Sequence, residues 1–261
     1  DHRDLHSFPT RRSSDLSSCL QLLFNAADVI VVGRFAGSTS LAAVGSTTEL
    51  LSLLTTLFIG FSIGANVNVA RTLGNQDDQG TKDGIHTAVS VSILSGSAMI
   101  LLGFLFGRPM LQWMGTPADV IDKASLYLMI IFIGMPSNMA YNFGSAILRA
   151  MGDTKRPLYF LSAAGVLNVV LNLIFVIVLH MDVAGVALAT ILSETLSAVL
   201  ILNCLCRTDG PCHLNIRKLY IQKDQLFRML RIGLPAGIQS GMFSFSNVLI
   251  QSSINSFGSV V

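Results

Sequence analysis

Residues 139–180 read MAYNFGSAILRAMGDTKRPLYFLSAAGVLNVVLNLIFVIVLH, and their pattern decides the fold class. An apolar run closes at Leu148, a polar break crowded with charge and turn chemistry follows through Gly152, Asp153, Lys155, Arg156 and Pro157, and a second apolar run continues to Leu179. About 20 helical residues cross the ~30 Å hydrocarbon core of a bilayer, and each run is of that order. The apolar positions do not alternate with polar ones, as the strands of a membrane barrel would require. Pro157 suits a first helical turn, where its missing N–H costs nothing.

Outward from this pair the arrangement repeats. Apolar spans are expected at about 17–33, 44–70, 85–107, 123–148, 157–180, 184–206 and 233–258, separated by breaks such as Gly33 to Gly37, Gly74 to Asp78 and Gly107 to Pro109. Half the chain is hydrophobic (51%) and only 12% is charged, against about a quarter in a soluble domain. The mean hydropathy of +0.62 agrees. The expected class is therefore an all-α polytopic membrane protein. Pro136 and Pro235 fall within or near spans, where neighbouring helices can resatisfy the backbone. Residues 1–16 have no apolar run and are read as a probably non-native polar leader, outside the fold. The chain also closes without a polar terminus, at Val261, and this is read as a second truncation.

Basic residues give an orientation. Arg71, Lys82, Arg149, Lys155, Arg156, Arg207, Arg217, Lys218, Lys223, Arg228 and Arg231 flank the even breaks, whereas the odd breaks hold only Arg34, Arg108 and Lys123. The positive-inside rule then places the N-terminus in the cytoplasm of a multi-pass inner (plasma) membrane protein. Residues 207–231 form a basic cytoplasmic linker between 17–206 and 232–261 and are expected to be solvated. Gly60-xxx-Gly64, Gly103-xxx-Gly107 and Gly233-xxx-Gly237 permit close helix approach and mark packing.

Three acids lie inside the spans: Asp28, Glu49 and Glu194. An ionisable group at that depth costs about 2.5–3.5 kcal/mol on insertion scales, so such residues are functional candidates. Asn168 and Asn172 are four apart and share a helix face. Their carbonyl oxygens, with the Thr190 hydroxyl, are the ligand type a hard cation takes, although polar contacts between helices would use the same groups. Glu49, Glu194, Met135, Met139 and Gln239 are candidates to line a cleft. Cys204, Cys206, Cys212 and His213 match no standard zinc spacing. The chain has no nucleotide loop, Ser/His/Asp set or HExxH, so neither an enzyme nor an ATP-driven pump is expected, and no nucleic-acid partner.

The segments FNAADVIVVG (24–33), LAAVG (41–45), GANVNVAR (64–71), ILRAMGDTKRP (147–157), LNVVLN (167–172), AGVALAT (184–190) and GLPAG (233–237) follow in an order and spacing that resemble the multidrug and toxic compound extrusion (MATE) family. The resemblance covers 19–261. It implies two six-helix bundles about a central cleft, of which this chain would hold the first bundle and the first helix of the second. It further implies a cation-coupling site at Asp28, Asn168, Asn172 and Thr190, taking Na⁺ or H⁺ and no other cofactor. Some relatives carry an acid where Asn172 stands. The implied activity is antiport of drugs or amphipathic organic cations, with membrane lipid and the missing C-terminal bundle as partners. A flippase for lipid-linked saccharides and an inactive fragment are the alternatives.

Overall fold

The computed structural model describes Phe24 and residues 26–255, which form helices joined by short turns, with no strand among them. Helix α1 (26–35) is followed by α2 (Ser38–Gly74), α3 (Asp78–Trp113), α4 (Ile121–Ala150), α5 (Lys155–Asn172), α6 (Asp182–Cys206) and α7 (Lys223–Asn255). The all-helical class expected from the apolar blocks is what the chain adopts. Four of these elements, together with α5 and its extension to Val178, are long and apolar enough to cross a membrane: α2, α3, α4 and α6. The leader 1–16 and the end of the last span lie outside the described residues.

The breaks do what their residues dictate. Gly152 turns the chain after α4 with φ +85°, a conformation that glycine adopts without steric cost. Asp153 then caps α5, its Oδ1 accepting the N–H groups of Lys155 (3.2 Å) and Arg156 (3.1 Å). Asp77 caps α3 in the same way, accepting from the Gly80 N–H at 2.9 Å. The end of α5 is different. From Leu173 to Val178 the helix widens, and the Leu179 N–H reaches back five residues to the Ile174 carbonyl at 3.0 Å. Such widened turns recur at functional sites, and this one starts directly after Asn172.

Helix α4 lies at the centre, packed on α2, α3 and α6, while α5 packs on α6 and α7 on α2. Its Phe132, Met139, Phe143, Ile147 and Leu148 are fully buried in one core. Leu101, Leu105, Ile133, Val166 and Val199 face outward, a surface suited to lipid chains rather than water. At one end of the bundle the starts of α2, α4 and α6 are tied together. There the Lys123 ammonium meets the Asp182 carboxylate at 2.6 Å and donates to Ser40 Oγ at 2.9 Å.

At the opposite end α7 crosses α2 through glycine. A Cβ placed on Gly60 would stand 2.3 Å from the Gly237 Cα, and one on Gly64 would stand 2.1 Å from the Met229 carbonyl oxygen. Only hydrogen at these positions lets the two backbones touch. Buried Asn68 donates to Gln225 Oε1 across the same crossing at 2.7 Å.

The 207–231 segment is not the solvated tether expected from its charge. Its last residues, from Lys223, begin α7, and the remainder is bolted to the start of α3. Cys212 and Leu214 are buried. The Tyr220 ring stacks on His86 at 5.1 Å, and its hydroxyl donates to Asp83 Oδ1 at 2.5 Å. Backbone N–H groups of Asn215 and Gln222 donate to His86 Nε2 (3.2 Å) and Thr87 Oγ1 (3.0 Å). Because His86 Nδ1 sits 2.8 Å from the Lys82 carbonyl, which can only accept, the ring carries its proton on Nδ1 and accepts on Nε2. Apolar seats and satisfied backbone groups outweigh the charge of Arg217 and Lys218, which stay exposed.

Candidate cation site and the adjoining cavity

Helices α1, α5 and α6 bring the four predicted coupling residues together. Asn168 and Asn172, one turn apart on α5, are both buried, at 5% and 1% exposure. The Asn172 Nδ2 group donates to Asp28 Oδ1 on α1 and to Asn168 Oδ1 at 3.1 Å. Asn168 Nδ2 in turn lies 3.5 Å from Thr190 Oγ1, the outer limit of a hydrogen bond, and Thr190 donates to the Val186 carbonyl at 3.0 Å. The result is a chain of oxygens and amides running from α6 through α5 to the carboxylate on α1.

One atom in this chain is left over. Asn172 Oδ1 is buried and has no hydrogen-bond partner among the described residues. Turning the amide over would set its oxygen against the Asp28 carboxylate, so the arrangement with Nδ2 toward Asp28 is the one the network requires. An orphaned buried acceptor costs about 1–3 kcal/mol. A hydrogen-bond donor or a cation would satisfy it, and beside a carboxylate a cation gains the added attraction of that charge.

A cavity of about 470 Å³ adjoins the site, with Asp28, Asn168 and Thr190 on its wall. Glu194, one turn beyond Thr190 on α6, also lines it, together with Met135. The other three cleft candidates do not. Met139, one turn on from Met135, is fully buried in the core and is not among the described residues that line the cavity. Glu49 is half-buried on α2 and Gln239 is exposed on α7, and neither is among the described residues that line the cavity.

Sequence reasoning passed over much of the wall. Tyr127, Asn138, Tyr141, Asn142, Thr48 and Thr55 all line the cavity. Asn142 Nδ2 donates to Asn138 Oδ1 at 3.0 Å, and Asn138 Nδ2 donates to Glu194 Oε1 at 2.8 Å. The signal was present: Asn138 and Asn142 repeat the four-residue spacing of Asn168 and Asn172 within an apolar run.

Comparison with known proteins gives a consistent result. The MatE family model matches residues 14–174. The probable multidrug resistance protein YoeA of Bacillus subtilis (strain 168) is 29% identical over 251 residues, covering 94% of this chain and 54% of that protein. The probable multidrug resistance protein YpnP of the same organism is 30% identical over 247 residues, covering 93% and 54%. Among solved structures, the inward-facing conformation of a multidrug resistance MATE family transporter of the MOP superfamily superposes with a TM-score of 0.82 at 26% identity, over 92% of this chain and 56% of that one. A MATE crystal structure in the bent conformation gives 0.79 at 27% identity, over 85% and 50%. The chain thus spans about half the length of the relatives it matches.

Proposed function

The chain belongs to the MatE family, and from that premise we propose that it forms the cation-site half of an antiporter, one that exports drugs or other amphipathic organic compounds in exchange for Na⁺ or H⁺ by alternating access. The observation that carries this reading is the orphaned Asn172 Oδ1 beside Asp28. A carboxylate, an amide oxygen without a donor and the Thr190 hydroxyl form the oxygen-rich set that a hard cation takes. A proton on Asp28 would serve the same electrostatic end.

The coupling follows from which helices hold the ligands. Asp28 rides on α1, whereas Asn168, Asn172 and Thr190 ride on α5 and α6. A bound cation draws α1 toward α5 and α6, and so favours one arrangement of the bundle. A substrate in the adjoining cavity, whose wall includes Asp28, favours another. Linkage then makes each ligand weaken the other by the same factor. An inward Na⁺ or H⁺ gradient across the membrane then drives this exchange toward export. The test is substrate retention in cells expressing the full-length protein: Asp28→Asn should abolish ethidium and norfloxacin efflux, and undiminished efflux would remove the coupling role.

A further inference from the structure

Two carboxylates share the cavity, and the proposed coupling uses only Asp28. Glu194 is left without a charge partner. Among the described residues that line the cavity there is no lysine, arginine or histidine. Only one of its oxygens, Oε1, has a hydrogen-bond partner among the described residues, Nδ2 of Asn138. That donor is fixed, because the other end of the Asn138 amide accepts from Asn142. The amide relay therefore points N–H toward Glu194 Oε1, which accepts, and leaves Oε2 without a donor among the described residues and open to a ligand that brings one.

We infer that Glu194 is the anchor for a cationic nitrogen that carries N–H, a protonated amine, amidine or guanidinium, and that it selects such substrates against permanently charged cations lacking a donor. This rests on the reading of the cavity as a substrate chamber. A bare metal ion fits poorly at Glu194. It would need several oxygen ligands, and the nearest polar neighbour presents an amide N–H₂ instead. An organic cation fits better. The cavity has the size of small-molecule sites, and Leu51, Ile131, Met135 and Leu161 give its wall an apolar lining for the body of the molecule.

The experiment is a pair of binding titrations on the chain in lipid nanodiscs. Proflavine, a flat cationic dye rich in N–H, is followed by fluorescence anisotropy, and tetraphenylphosphonium, a cation with none, by equilibrium dialysis. Glu194→Gln keeps the shape and removes the charge. Its expected effect is a loss of proflavine affinity of about tenfold or more, the worth of a charge-assisted hydrogen bond, with tetraphenylphosphonium binding altered less than about twofold. Adding Asn138→Asp to Glu194→Gln returns a carboxylate to the same spot and should restore part of the proflavine affinity, a rescue that a folding defect would not show. Equal losses for both cations, no loss for either, or failure of the rescue would each overturn the assignment. Asp28 has its own dye-free test, Na⁺ and pH titrations of thermal unfolding that compare Asp28→Asn with wild type. If they fail while Glu194→Gln remains selective, the coupling reading falls and the anchor stands.

Discussion

Replacing Asn172 by leucine keeps the side-chain volume and removes every polar contact the residue makes. Its charge-assisted bond to Asp28 contributes about 1.5–3 kcal/mol and its bond to Asn168 about 0.5–1.5 kcal/mol. Against that loss, the orphaned Oδ1 disappears and returns about 1–3 kcal/mol. Leucine also leaves the Asp28 and Asn168 oxygens without their donor, so the compensation is partial and Asn172→Leu should destabilise the cation-free chain by about 1–3 kcal/mol. Cation binding has no such compensation. It loses an oxygen ligand, again about 1.5–3 kcal/mol, which is between about tenfold and a hundredfold in affinity. The assay is thermal unfolding of the chain in nanodiscs, titrated with Na⁺ at fixed pH and with pH at fixed Na⁺, where ligand-linked stabilisation reports affinity. A cation midpoint that stays within about twofold of wild type would refute Oδ1 as a ligand. Asn172→Asp, which keeps an oxygen in place and adds charge, should instead tighten cation binding.

Gly60→Ala places a Cβ against the backbone of Gly237, which cannot step aside, and should cost about 1–3 kcal/mol. A disulfide between cysteines at Ser52 and Ser244, whose hydroxyls lie 3.4 Å apart across α2 and α7, should then form more slowly, and an unchanged rate would show that the crossing tolerates the methyl group. Lys123→Met removes a half-exposed clip to Asp182; it should lower stability by no more than about 1 kcal/mol, with the difference shrinking in 1 M salt if the clip is electrostatic. Tyr220 titrates up at about 12, raised by desolvation and then by its hydrogen bond to the Asp83 carboxylate and that group's charge. The folded state therefore keeps the proton longer than the unfolded one, and the contribution of Tyr220 is intact below about pH 10 and lost as pH rises toward 12. Proteolysis within 207–222 should accelerate over that window in wild type, and Tyr220→Phe should flatten the dependence.

The apolar blocks were legible because a bilayer leaves the backbone few solutions: a long run without charges has to close its hydrogen bonds within a helix. Convergence of Asp28, Asn168, Asn172 and Thr190 was expected from helix spacing and the family resemblance together, and the structure brings the four side chains to one place. What escaped depends on contacts between distant residues. The docking of 207–222 on α3 rests on His86 meeting Asn215 and Tyr220, and charge alone gave no sign of it. The start of α7 was hidden in the same way, since Lys223, Arg228 and Arg231 read as linker although they open a helix. Met139 and Gln239 lie off the wall of this cavity, since a span's sequence says which residues are apolar or polar and not which face the neighbouring helices cover. The Asn138–Glu194 pair needed α4 and α6 to be set side by side.

Coupling through Asp28 is tested most directly by substrate flux in proteoliposomes of the full-length protein under an imposed Na⁺ or pH gradient. Wild type should move ethidium faster when either its Na⁺ or its H⁺ gradient opposes the dye gradient, and Asp28→Asn should show the same slow flux with and without the gradient. Gradient-stimulated flux in Asp28→Asn equal to that of wild type would contradict the assignment of the cation site.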